Sequence, residues 1–115
     1  MQIDLNRWWA KTQLTDTLRV NMYRKISKML ANGLPLLKIL DELWNRASDD
    51  GRKPNEPMAI VLDDCRRTVQ NGRLLSEGLE PWVPKTEQMI IMAGEQSGRL
   101  ETVLVSIVDV VQSGK

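Results

Sequence analysis

The chain has 115 residues, 42% of them hydrophobic and 27% charged, with a formal net charge of +1. That balance fits one globular domain and excludes a wholly disordered chain. There is no histidine and one cysteine, Cys65, which removes the commonest general base, a common metal ligand and any internal disulfide. Aromatics are few: four Trp, one Tyr and no Phe. A core must therefore come from Leu, Ile, Val and the six Met, which fill irregular gaps.

Residues 1–14 form a mixed lead-in, with Ile3, Leu5, Trp8 and Trp9 among Asp4, Asn6, Arg7 and Lys11. A short helix here either docks its two Trp on the core or rests them at a membrane interface, where amphipathic rings settle. Residues 15–115 are expected to form a single helical domain. Its first helix begins at Thr15 or Asp16, both N-cap types, and stops at Gly33. Leu18, Met22, Ile26, Met29 and Leu30 recur at three- and four-residue steps, one apolar stripe. Arg19, Arg24, Lys25 and Lys28 are read as lying off it.

Pro35 suits the first turn of a second helix, whose apolar face includes Leu36, Ile39, Leu40, Leu43 and Trp44 and which ends at Ser48-Asp49-Asp50-Gly51. A polar loop follows, through Asn55. A third helix, from about 55–57 to Gly72, buries Met58, Val61, Leu62, Cys65 and Val69. Cys65 is read as core packing rather than as a nucleophile. Residues 74–79 form a helical turn with Ser76 as a cap. Another helix runs over 84–93, carrying Met89, Ile90 and Met92, and Gly94-Glu95-Gln96-Ser97-Gly98 makes a tight corner. The last helix carries Leu100, Val103, Leu104, Ile107, Val108 and Val111. The fold class is all-α, an antiparallel bundle of about five to six short helices joined by short connections.

No catalytic constellation emerges. Gly94 and Gly98 frame polar residues and lack the lysine of a phosphate loop. The pairs Asp49-Asp50 and Asp63-Asp64 have no calcium-loop spacing, and adjacent helical residues point apart, so no metal or cofactor is expected. No stretch approaches the roughly 20 apolar residues of a membrane span, and no secretory signal is visible. The chain is expected to be soluble, whole or as a piece cut from a membrane protein. The charge is uneven: up to Lys38 seven basic residues face two acidic ones, and thereafter nine face thirteen. The basic front allows a second reading, a helical adaptor for anionic membrane or nucleic acid. The near-zero net charge and absent motifs argue against nucleic acid.

Two segments carry a resemblance. One is Tyr23-Arg24-Lys25-Ile26-Ser27-Lys28-Met29-Leu30-Ala31-Asn32-Gly33-Leu34-Pro35-Leu36-Leu37-Lys38-Ile39-Leu40. The other runs Val69-Gln70-Asn71-Gly72-Arg73-Leu74-Leu75-Ser76-Glu77-Gly78-Leu79, then Trp82-Val83-Pro84, then Met89-Ile90-Ile91-Met92-Ala93-Gly94-Glu95-Gln96-Ser97-Gly98-Arg99-Leu100-Glu101. In order and spacing the set resembles the cytoplasmic domain of the inner-membrane platform proteins of type IV pilus and type II secretion systems. The family more often has Phe before the proline where Trp82-Val83-Pro84 stands, and it does not prescribe Trp8 and Trp9.

The resemblance implies one of two related helical domains that alternate with membrane spans, this chain being the first. It implies a scaffold at the cytoplasmic face of the inner membrane that hydrolyses nothing itself. Its partners would be the cytoplasmic hexameric assembly ATPase, other apparatus proteins and pilin or pseudopilin. A homodimer fits the generous apolar faces. The expected partner surface is Arg24, Lys25 and Lys28 with Arg66 and Arg67. Gly33, Pro35, Gly72, Gly94, Glu95, Ser97 and Gly98 are expected to be structural, Glu95 accepting amides at the start of the last helix and Ser97 capping it.

Overall fold

The computed structural model describes residues 5–113. Their helices are α1 Leu5–Gln13, α2 Asp16–Ala31, α3 Leu36–Ala47, α4 Pro57–Gln70, α5 Leu75–Leu79, α6 Lys85–Ser97 and α7 Leu100–Ser113. There is no strand among the described residues, and the fold is all-α. The described residues hold seven helices where about five or six were expected: the lead-in and the helical turn after Gly72 each form one.

Local chemistry sets the helix ends. Thr15 caps α2, its hydroxyl accepting the Leu18 amide at 3.3 Å. Gly33 and Gly72 end α2 and α4 in the left-handed region, at φ 86° and 81°, where a Cβ is costly. Beyond each glycine the next amide reaches back to close the last turn, Leu34 to the Met29 carbonyl and Arg73 to the Thr68 carbonyl, which satisfies exposed carbonyls. Pro57 opens α4, while Pro35 and Pro84 stand one residue before α3 and α6. After α3, Asp49 and Asp50 themselves adopt positive φ. Ser48 is buried there, its Oγ donating to the Trp44 carbonyl at 2.7 Å and accepting the Gly51 amide at 2.9 Å.

Six helices close into a ring. α2 packs on α3 and α7, α3 on α4, α4 on α5, α5 on α6, and α6 on α7. Ile26, Leu40, Val61, Leu79, Ile91 and Leu104 come one from each of these helices and are fully buried. Each such side chain contributes about 1.5–3 kcal/mol over leaving it in water. Cys65 joins this core as expected, and burial pushes its thiol pKa up, with Asp64 and Glu95 adding to the effect.

α1 lies outside the ring and packs on α4. Its contacting face is Ala10, followed by Leu14, both buried. Arg7 fastens it further, pairing with Asp64 at 2.6 Å and lying over the Trp82 ring. The Trp82 indole donates to the same carboxylate at 3.0 Å. Of the two readings of the lead-in, the one that docks Trp8 and Trp9 on the core does not match their exposure. They are 65% and 45% exposed, with Leu5 beside them at 70%, because the helical period turns positions 5, 8 and 9 away from 10 and 14.

Candidate interaction site

The strongest polar cluster was not foreseen. Arg19 of α2 makes a bidentate pair with Glu87 of α6, Nε to Oε1 at 2.9 Å and Nη2 to Oε2 at 2.7 Å. The Tyr23 hydroxyl donates to Glu87 Oε1 at 2.8 Å, and Asp16 holds the remaining Arg19 nitrogen at 2.9 Å. All three central residues are buried. The hydrogen bonds to Glu87 raise the Arg19 pKa further, and desolvation raises that of Tyr23. Arg19 therefore leaves the basic face assigned to it. The signal was its spacing: 19, 23 and 26 share the buried stripe of α2, as 87, 91 and 94 share that of α6. The cluster joins two helices that do not pack directly on one another.

The segment Gly94-Glu95-Gln96-Ser97-Gly98 takes a different geometry from the one expected. α6 continues through Ser97 instead of stopping at 93, so the corner is only Gly98-Arg99. Gly98 takes φ 74°. Gly94 lies within the helix, where an added Cβ would come 2.2 Å from Val103 Cγ2; its lack of a side chain lets α7 approach α6. The carboxylate of Glu95 makes its hydrogen bonds to α5 and not to the last helix. Its Oε2 accepts the Leu75 amide at 2.6 Å and its Oε1 the Ser76 amide at 2.9 Å. It thus caps α5 from another helix, where the N-cap residue, Leu74, has no acceptor side chain. Ser97 caps nothing ahead of it: its hydroxyl donates back to the Gly94 carbonyl at 3.3 Å. Ser76 is buried within α5 rather than capping it, and its hydroxyl has no hydrogen-bond partner among the described residues.

The basic residues divide into two groups. Arg24, Lys25 and Lys28 are exposed along α2, with no ion pair among the described residues. Arg66 is held on α4: it bonds Asp63 at 2.9 Å, approaches Asp41 at 3.6 Å and stacks 3.8 Å from the Trp44 ring centroid. Arg67, more exposed, pairs with the other Asp63 oxygen at 3.1 Å. α2 and α4 do not pack on one another, so the structure does not bring the two groups onto one element.

Between α2, α3 and the start of α4 lies an open groove of about 450 Å³. Leu18, Met22, Leu43, Met58 and Leu62 line it, with Lys25 and Arg46 on its α2 and α3 walls and Glu56 at one end.

The fold and its surface thus define an all-helical domain whose buried polar groups serve its own architecture, with cations and apolar surface left facing outward. The model of the family described as type II secretion system (T2SS), protein F matches residues 22–113, most of the chain, and the chain belongs to that family. Membership supports a role in the platform of the secretion and pilus machinery, and the family is a structural, inner-membrane-associated one, not known as an enzyme. No curated protein sequence matches the chain significantly. α1 and the first turn of α2, including Arg19, precede the matched range. No helix of the described residues is long and apolar enough to cross a membrane.

Proposed function

We propose that this domain is a non-enzymatic scaffold at the cytoplasmic face of an inner-membrane assembly platform, where it binds the cytoplasmic assembly ATPase and neighbouring apparatus proteins. The observation that carries the reading is the row Arg24, Lys25 and Lys28, exposed on α2 and free of ion pairs among the described residues, within a chain of the protein F family. Unpaired cations complement an acidic partner and speed its encounter. Arg66 and Arg67 contribute less to this contact, since neighbouring carboxylates already hold them. A non-catalytic role agrees with a chain that lacks histidine and keeps its single thiol buried and protonated. Pilin or pseudopilin and a second copy of the domain are further partners under this reading.

Calorimetry of the domain with its cognate ATPase tests the proposal. Saturable binding in the micromolar range, about −8 kcal/mol, that weakens in the Lys25→Glu/Lys28→Glu variant supports it. Binding that is indifferent to the reversal removes the α2 surface. Absence of binding with a folded domain, in every nucleotide state, removes the ATPase as partner of this domain. Sedimentation of the same samples reports dimer formation.

α1 favours a second reading. Leu5, Trp8 and Trp9 face outward together, a combination suited to a lipid interface. Sedimentation with phosphatidylglycerol vesicles, lost on Trp8→Ala/Trp9→Ala, supports that contact, and no co-sedimentation at low salt removes it.

A further inference from the structure

We infer that the groove between α2 and α3 is a docking site for an amphipathic helix of a partner protein, apolar on the face it buries and acidic along both flanks. The inference deepens the protein-binding reading above and rests on it; it shares Lys25 and Lys28 with that reading but adds the apolar floor and Arg46, and can fail by itself.

The shape comes from the packing. α2 is drawn toward α7 and α3 toward α4, and the two touch each other only sparsely. Their divergence leaves a trough of about 450 Å³ instead of a sealed seam. The floor is aliphatic and thioether: Leu18 and Met22 from α2, Leu43 from α3, Met58 and Leu62 from α4. Met22, Leu43 and Leu62 belong to the core, so the floor is rigid beneath, while half-buried Met58 and Leu18 can adjust to what lands on them. A methionine-bearing apolar trough bounded by two helices suits a third helix that offers side chains at i, i+3, i+4 and i+7.

Charge decides what that third helix carries. Lys25 stands on one long wall and Arg46 on the other, both exposed and neither ion-paired among the described residues. Lys28 extends the α2 wall by one turn. Among the described residues that line the groove the one carboxylate is Glu56, at the end where the chain enters α4. A helix seated apolar side down places the positions flanking its stripe against those two walls, as flanking positions meet across a coiled-coil seam. Acidic residues there would meet a cation on each side, and basic ones would meet like charge. Arg19, Arg66, Arg67 and Arg73 have carboxylate partners within the domain, whereas Lys25 and Arg46 on the groove, like Arg24, Lys28 and Lys38 outside its lining, have none among the described residues. Lys25 and Arg46 are the two unpaired cations that border the apolar floor.

The probe is a synthetic helical peptide with leucines at i, i+3, i+4 and i+7 and glutamates on both flanks, alongside its twin with lysine flanks. Binding is followed by the methyl resonances of the methionines. Met22 and Met58 lie in the groove, and Met89, exposed on α6, is the internal control. The acidic peptide is expected to shift Met22 and Met58 saturably and leave Met89 in place. Lys25→Glu/Arg46→Glu should weaken it about tenfold or more and strengthen the lysine twin, a reversal that misfolding does not mimic. Equal binding of both peptides to the unaltered domain overturns the charge argument. Shifts confined to Met89, or no saturable binding with the spectrum intact, overturn the groove. Concentration-dependent shifts of Met22 and Met58 without peptide assign the groove to a second copy, and shifts with phosphatidylglycerol vesicles assign it to lipid; either result overturns the inference. ATPase binding that leaves both methyls unmoved retains the wider reading and removes this one.

Discussion

Helix α2 carries arginine and lysine in two opposite situations. At position 19 the guanidinium is buried, held by two carboxylates and tied through Glu87 to a tyrosine on its own helix. At positions 25 and 28 the ammonium groups face outward with no carboxylate partner among the described residues. A shift in helical phase separates the two. Cations on the inner side do the work of a joint between α2 and α6, and those on the outer side and the groove wall remain available to another molecule. The chemistry of a basic residue here is set by its face, not by its type.

Removing one partner of the inner cluster is the most severe way to break that contrast. Glu87→Ala leaves buried Arg19 with only the exposed Asp16 as counter-charge and should cost about 3 kcal/mol in urea unfolding, the lower end of what breaking a buried pair costs. The double change Arg19→Leu/Glu87→Leu should recover most of that loss. Gly94→Ala comes next. The new methyl meets the stiff side chain of Val103, and overpacking of this kind costs about 1–3 kcal/mol. Glu95→Ala should cost about 1–3 kcal/mol, as two amides of α5 lose their acceptor, with faster amide exchange at Leu75 and Ser76 as its mark.

A smaller effect appears in alkali. Cys65 and Tyr23 have ordinary values of 9.0 and 10.0, and burial raises both in the fold. The unfolded chain loses these protons first, so their contribution is complete below pH 9 and declines as pH rises past each ordinary value. The urea midpoint should fall between pH 9 and 10.5, and more gently in Cys65→Ala. Smallest of all, Lys25→Glu should change stability by less than about 0.5 kcal/mol, which sets the outer face apart from the inner one.

Much of this architecture was legible. Thr15, Gly33 and Gly72 act through neighbours three to five residues away, so helix starts and stops can be read along the chain. The buried Cys65 followed from spacing alone. What escaped depended on partners distant in sequence. Glu95 reaches amides 19 and 20 residues earlier, and Arg19 meets a carboxylate 68 residues later. A string of residues names possible donors and acceptors without saying which fold together. The extension of α6 through Gly94 was missed for a related reason. A glycine inside a helix reads as a stop until the helix packed against it is known. Trp8 and Trp9 show the converse: large apolar side chains are expected inward, yet the register of α1 is fixed by Ala10 and Leu14 beneath it.

The cap that Glu95 lends to α5 also has a bearing on how the chain folds. Five residues are too few to sustain a helix unaided, since nucleation is the costly step, and α5 receives its start from a side chain on α6. Leu75–Leu79 cannot become helical on the strength of its own sequence, and must wait for the following helix to arrive. Loosening of α6 would then melt α5 with it, making the two a single unit of local opening, so that solvent reaches Cys65 behind Gly78 whenever that unit lets go.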